Sequence, residues 1–500
     1  MNVAPEISQS SNQAVEHFDV LIVGAGISGI DAAYHLQQSC PDKSFAMLEN
    51  QESFGGTWLT HKYPGIRSDS DLFTFGFGWK PWKGVPIATA EEILVYLDEA
   101  LDEQDIRKHI RFQHQITNAI WSSEDKQWTL VVSRKDTGEV LHYTCNFLWM
   151  CQGYYRHSEG YTPDFPGADR FQGEIVHPQT WPEDLDYKGK KVIVIGSGAT
   201  AATVIPAMAE DVEHITMLQR SPTFFNAGEN RMDVAEMLRE LDVPDEWTHE
   251  IARRKILFDQ KIITERSFTD SDKLKSELIA GTKAYLDDDF DVETHFTPSY
   301  RPWRQRIAFV PNGDLFTGIK SGKASVVTDH IDTFTETGIL LKSGQELEAD
   351  IIITATGFNL SALGDIEFTI DEKPLNFADC WTHRGIMFSG VPNMAWVFGY
   401  LRTSWTMRAD LVGTFVCRLL DHMSDKGVEM VTPELREEDK GMNARPFIDP
   451  ENFNAGYIMR QIHILPKQGN QDPWIHTQDY YTDKDTLPNA DLDDGTLIYR

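Results

Sequence analysis

The stretch FDVLIVGAGISGIDAAYHLQQ, residues 18–38, passes from an apolar run through three glycines into a helical pattern. Gly24, Gly26 and Gly29 stand at the G-x-G-x-x-G spacing directly after the apolar run. In a strand–turn–helix unit the first glycine allows the tight turn and the second lets backbone amides approach a pyrophosphate. The third lets helix and strand pack closely. Ile30, Ala33 and Tyr34 share one side of the helix that follows. KSFAMLEN (43–50) supplies the next strand, and Glu49 ends it at the distance where a carboxylate accepts hydrogen bonds from ribose hydroxyls. Such a carboxylate repels a 2′-phosphate, so the unit selects FAD or NAD over NADP. The competing reading is an ordinary tight turn with a surface glutamate.

The same pattern returns at KVIVIGSGATAATVIPAMAE, 191–210, where Gly196, Gly198 and Ala201 give G-x-G-x-x-A. The next strand, HITMLQR (214–220), carries Gln219 and Arg220 where the first unit has its acid. A guanidinium is the replacement that a 2′-phosphate demands, because its planar fork matches phosphate oxygens and never loses its charge. Arg220 could instead be a solvated strand-end cation. Ser28 on the first turn, and Ser197, Ala199, Thr200 and Ser221 at the second, complete the turn residues facing the two nucleotides. Two such units with opposite charge preference imply FAD reduced by NADPH. The fold class expected is α/β, with two Rossmann-like dinucleotide-binding domains and a helical insertion.

Five hundred residues are too many for one ordinary core. The divisions expected are a loose polar N-terminal tail (1–17), a first part of the FAD-binding domain (18–156) and a linker (157–190). An NADP-binding domain (191–345) with a helical insertion at about 228–300 follows, then the second part of the FAD-binding domain (346–500). Within this scheme 127–155 reads as a hairpin leading into a buried strand. ADIIITATGF (349–358) reads as a buried strand returning to the first domain, and a helix is expected near 409–423.

The start MNVAPEISQSSNQ has neither a basic head nor an apolar core, so it does not read as a secretory signal. No run approaches the roughly eighteen apolar residues of a membrane span. Cys40, Cys145, Cys151, Cys380 and Cys417 form no CxxC and no metal-like spacing, and read as buried free thiols in a reducing cytoplasm. No metal is expected. A formal net charge of −31 argues against nucleic acid or anionic membranes as partners. Anionic ligands must be held by local cations and backbone amides. Monomer and homodimer both stay open.

Just upstream of the second glycine turn lies FQGEIVHPQTWP, 171–182. It matches F-x-G-x-x-x-H-x-x-x-W-P/D and resembles the fingerprint of the type I Baeyer–Villiger monooxygenases. GGTWLTHKYPGIRSD (55–69) matches that family's other pattern through Gly56, Trp58, Tyr63, Pro64, Gly65 and Asp69, and TATGF (354–358) fits as well. YRPWRQRIAFVPNGDLF (300–316) is similar to the subgroup containing the ethionamide-activating monooxygenase, which usually has Asp where this chain has Arg304. Flavin-containing N- and S-monooxygenases, the alternative class, usually carry Tyr or Phe in place of Trp181.

The resemblance implies a cycle in which NADPH reduces FAD, oxygen forms a C4a-peroxyflavin, and a ketone becomes an ester or lactone. Thioethers would be sulfoxidised too. It implies Arg306 as the catalytic cation and Asp69 as its partner. Arg304 competes, two residues away and on the opposite side if the segment is extended. Asp69 could otherwise cap the turn after Tyr63-Pro64-Gly65. Gly55, Gly56, Thr57 and Trp58 would lie along the FAD, although Trp58 could be core. Ile116 would meet the FAD adenine end through its backbone, and Arg67 would contact NADP. The loop at 399–410 would close over the flavin ring. Phe171, Gly173, His177 and Trp181 would fasten the linker between domains that must rotate as NADP shifts.

Overall fold

The computed structural model describes residues 15–500. Residues 1–14 of the expected tail lie outside the described residues. Glu16 and His17 already belong to the strand Glu16–Val23, so the first sheet begins inside the span read as tail.

Val20, Leu21 and Ile22 are fully buried because their strand lies inside a sheet covered on both faces. Glu16–Val23 pairs in parallel with Phe45–Leu48 on one side and Val140–Met150 on the other. The expected hairpin is present: Gln127–Arg134 runs antiparallel to Val140–Met150 and to His114–Ser122. Three late strands complete this sheet, Lys373–Pro374 lying at its edge beside Glu367–Ile370. Glu367–Ile370 pairs with His114–Ser122, and Met394–Trp396 pairs with Val140–Met150.

The second sheet has five strands, ordered Ala324–Thr328, His214–Gln219, Lys191–Ile195, Ile351–Thr354 and Glu174–Val176, all parallel. This corrects two expectations. The strand within 349–358 does not return to the first unit but completes the second sheet beside Lys191–Ile195. Asp350 fixes that choice: its N–H donates to the Lys191 carbonyl at 2.8 Å and its carboxylate accepts from the Lys191 N–H at 2.8 Å. The segment 157–190 is likewise more than a linker, since Glu174–Val176 forms the edge of the second sheet. The chain crosses between the sheets at Tyr155–Gly160 and again at Phe358–Leu360, and these two crossings pair antiparallel with each other.

The insertion is helical as expected, with helices Asp233–Glu240, Asp245–Thr269, Ser271–Lys283 and Val292–Phe296. Buried Arg253 ties it to the first unit by donating to the carbonyls of Phe73, Gly76 and Thr74 at 2.9, 3.2 and 3.3 Å. The helix Thr406–Lys426 packs on Ile27–Ser39, with His35 and Asp410 hydrogen-bonded at 2.9 Å. Asp31 is buried at the same contact; Trp79 donates to one of its oxygens, and the other has no partner. Burial lifts its carboxyl from 3.8 to about 7, partly opposed by His35. All five cysteines are free and buried. Among the described residues no helix is long and apolar enough to cross a membrane.

Candidate functional site

Both glycine turns open into one cavity of about 1190 Å³. Gly24 and Gly196 adopt φ of +98° and +136°, which side-chain-bearing residues rarely reach. Gly26 and Gly198 stand at the N-caps of the helices Ile27–Ser39 and Ala199–Met208, and no side chain caps either helix. The amides of both first turns are therefore left for a ligand, and the helix dipoles favour an anionic one. Gly56 lies against Gly26, where a Cβ would meet the Gly26 Cα at 3.3 Å. With Gly24 and Gly55 it forms a floor with no side chains, which fits the close approach of a pyrophosphate.

Two turn residues act from behind. A Cβ on Gly29 would fall 2.0 Å from the Gly24 carbonyl oxygen, and Ala201 is fully buried; neither lines the cavity. Ser28, Thr57 and Trp58 do line it. Trp58 also packs edge-on against Phe75 at 5.7 Å, so it is both wall and core. The Ser28 hydroxyl accepts from the Trp405 indole at 2.8 Å. Glu49 accepts from the Ala25 and Gln51 amides at 2.7 and 2.9 Å, which turns its carboxylate toward the first turn. Ile116 lines the cavity, as Glu49 does.

Ser197, Gly198, Ala199, Thr200 and Ser221 line the second half. Gln219 is buried and donates to the His295 carbonyl and the Thr328 hydroxyl at 2.7 and 2.9 Å, so its role is internal. Arg220 faces the cavity, and no carboxylate pairs with it among the described residues. Arg67 lines the cavity as well, but it is ion-paired with Asp314 at 2.5 Å and donates to the Ala202 carbonyl at 3.3 Å.

Asp69 and Arg306, 237 residues apart in sequence, form a bidentate pair at 2.5 and 2.7 Å on the cavity wall. Arg306 also donates to the Ser70 hydroxyl at 2.9 Å and the Leu401 carbonyl at 3.0 Å. Burial works against its charge, but the Asp69 carboxylate outweighs burial and holds the guanidinium pKa above its ordinary value. Arg304 does not line the cavity and instead meets Glu451 at 3.5 Å. Of the two arginines, Arg306 is the one that faces the cavity.

None of Phe171, Gly173, His177 and Trp181 lines it. Phe171 meets Phe334 edge-on at 6.5 Å, and Trp181 meets Tyr187 in the same way at 6.5 Å. A Cβ on Gly173 would lie 2.1 Å from the Asp350 carbonyl oxygen. His177 accepts the Gln179 amide on Nδ1 at 3.1 Å, which leaves Nε2–H to donate to the Gly357 carbonyl at 3.1 Å. Burial lowers its pKa. Phe171, Gly173 and Trp181 pack within the second unit, and of the four it is His177 that reaches the crossing between the units, at Gly357.

The sequence reading did not single out three tyrosines of the wall. The Tyr154 hydroxyl lies 2.5 Å from that of Tyr155 and 3.5 Å from that of Tyr457, and burial raises all three phenol pKa values. Tyr154 stacks on Trp405 at 5.0 Å. The adjacent pair at the exit of the strand Val140–Met150 is a faint signal for the first two. Nothing in the spacing announces Tyr457.

A family model described as flavin-binding monooxygenase-like matches residues 86–228, and one described as an NAD(P)-binding Rossmann-like domain matches residues 22–83. The FAD-containing monooxygenase EthA of Mycobacterium tuberculosis is 46% identical over 486 residues, covering 97% of this chain and 98% of that protein. Among solved structures, OTEMO in complex with FAD and NADP is similar with a TM-score of 0.72 at 20% identity, covering 97% of this chain and all of the other. An ε-caprolactone-bound cyclohexanone monooxygenase is similar with a TM-score of 0.68 at 21% identity, covering 85% of this chain and 91% of the other.

Proposed function

Because the chain belongs to the FAD-containing flavin monooxygenases, we propose that it inserts one oxygen atom of O2 into ketones, giving esters or lactones, and also sulfoxidises thioethers. FAD and NADPH are its cofactors. The observation that carries the reading is the Arg306–Asp69 pair on the wall of the cavity shared by both glycine turns. A similar fold holds ε-caprolactone in an enzyme named for cyclohexanone, and that lactone is the ketone with one oxygen inserted beside its carbonyl.

The cofactors supply hydride and a reduced flavin that activates oxygen; the chain supplies placement, charge and shelter. Gly24, Gly26, Gly55 and Gly56 bring backbone to the FAD phosphates, Glu49 takes the ribose, and Ile116 bounds the adenine end. Gly196, Gly198 and the turn from Ser197 to Thr200 do the same for NADPH, with Arg220 on its 2′-phosphate and Ser221 beside it.

Arg306 provides a fixed positive charge where an oxyanion develops on the substrate carbonyl, and a preorganised cation there costs no reorganisation during reaction. Asp69 aims the guanidinium, and its two hydrogen bonds hold the fork in one plane. Tyr154, Tyr155, Tyr457 and Trp405 wall this space with aromatic surface whose hydroxyls are mutually bonded, which limits water. His177 keeps the junction of the two units in register through Gly357.

The test is anaerobic reduction of the FAD-loaded protein with NADPH, then admission of oxygen and a simple ketone, with products analysed by chromatography. Ester or lactone formation is expected. Sulfoxide from thioethers with no ester from any ketone would assign the chain to N- and S-oxygenation instead.

A further inference from the structure

Arg460 is a cation in the cavity wall that the functional reading leaves unused. It lies on the helix Gly456–Gln461, whose Ile458 is fully buried in the core of the first unit. Its guanidinium sits 3.6 Å from the centre of the Tyr161 ring, an arrangement that fixes the plane of the fork. One terminal nitrogen lies over Gly357 and reaches the Phe358 carbonyl only at 3.5 Å.

No carboxylate pairs with Arg460 among the described residues, and none pairs with Arg220; both line the same cavity. The Gly357 turn that Arg460 covers follows Ala355, whose carbonyl oxygen would lie 2.3 Å from a Cβ on Gly196, so Arg460 stands at the second glycine turn on the same cavity wall as Arg220. The acid on that wall, Asp329, is turned away, with its oxygens accepting from the His330 and Ser343 amides at 2.6 and 3.1 Å. Two uncompensated guanidiniums facing one space, in a chain of net charge −31, form an anion site whose mutual repulsion a phosphate relieves.

We propose that Arg460 and Arg220 together grip the 2′-phosphate of NADPH, an inference that rests on the NADPH assignment above. Arg220 comes from the second unit and Arg460 from the first, so the phosphate bridges them. NADPH is then recognised only when the C-terminal segment is docked.

The test is calorimetry on the FAD-loaded full chain with 2′,5′-ADP, 5′-AMP and ADP-ribose. The wild type should prefer 2′,5′-ADP to 5′-AMP. Arg460→Gln should weaken 2′,5′-ADP about tenfold while 5′-AMP stays within about twofold, and Arg460→Lys should recover part of the loss. Unchanged 2′,5′-ADP affinity in Arg460→Gln overturns the proposal. So does a loss confined to ADP-ribose, which would move Arg460 to the pyrophosphate. Equal losses of 5′-AMP and 2′,5′-ADP with a lower Tm would make Arg460 structural and also overturn it. A wild type without preference for 2′,5′-ADP would instead strike at the NADPH assignment, a result separable from the others.

Discussion

Replacing Arg306 by alanine takes the fixed cation out of the cavity and strands the Asp69 carboxylate. The guanidinium makes four hydrogen bonds, at 2.5 and 2.7 Å to Asp69, 2.9 Å to Ser70 and 3.0 Å to Leu401. A unit charge 4 Å from a developing oxyanion contributes about 4 kcal/mol at an effective dielectric near 20. Loss of one preorganised donor typically slows catalysis by roughly 10² to 10³. Both side chains of the pair keep 30% exposure, so solvent screening places the expected loss near the lower end, about 10²-fold in product formation. Arg306→Lys keeps the charge but not the fork, and should fall between alanine and wild type. The assay is ester or sulfoxide formed per NADPH consumed at saturating NADPH, with bound FAD measured by absorbance. An alanine variant that retains its FAD and stays within about tenfold of the wild-type product rate would refute the role given to this residue.

Asp31→Asn tests the buried carboxyl on the inner face of the helix Ile27–Ser39. Its folded pKa of about 7 lies above the ordinary 3.8, so the unfolded chain releases this proton first and stability falls as pH rises through that window. The variant should gain Tm over wild type at pH 8 and show little gain at pH 4; a gap that does not widen with pH would contradict the assignment. His177→Ala removes the bond to Gly357 and should leave NADPH binding intact while lowering product per NADPH and raising hydrogen peroxide, read by peroxidase coupling. Unchanged coupling would show that the contact carries no such role. Gly29→Ala drives a Cβ to 2.0 Å from a backbone carbonyl, a clash costing on the order of 3 kcal/mol, and should give colourless or insoluble protein. A yellow variant with unchanged Tm would count against that packing.

The two glycine turns were legible because their chemistry is local: turn, strand and helix all lie within about thirty residues. Arg306 was reachable only through resemblance, and geometry then separated it from Arg304. Residues 302–305 form a turn with Trp303 at φ +61° rather than an extended strand, and it is Arg306 that reaches Asp69 and the cavity while Arg304 meets Glu451. The strand Ile351–Thr354 was read as buried, and it is, yet its sheet was misassigned. Four consecutive buried residues look the same in either sheet; the decision rests on Asp350 meeting Lys191, a contact across 159 residues. Tyr457 and Arg460 escaped notice for the same reason. Their meaning comes from Tyr154 and Tyr161, about three hundred residues upstream, and no spacing rule spans such a distance.

The paired crossings at Tyr155–Gly160 and Phe358–Leu360 constrain how the halves of this molecule can travel. Two separate tethers would permit tumbling in any direction, but two strands zipped side by side behave as a leaf spring. A leaf spring flexes across its thin dimension and resists twist and shear. A swing about one axis is the relative motion such a pairing would leave to the nucleotide-carrying lobes, and the imidazole of His177, which a Cβ on Gly160 would strike at 1.9 Å, stands against one end of that leaf.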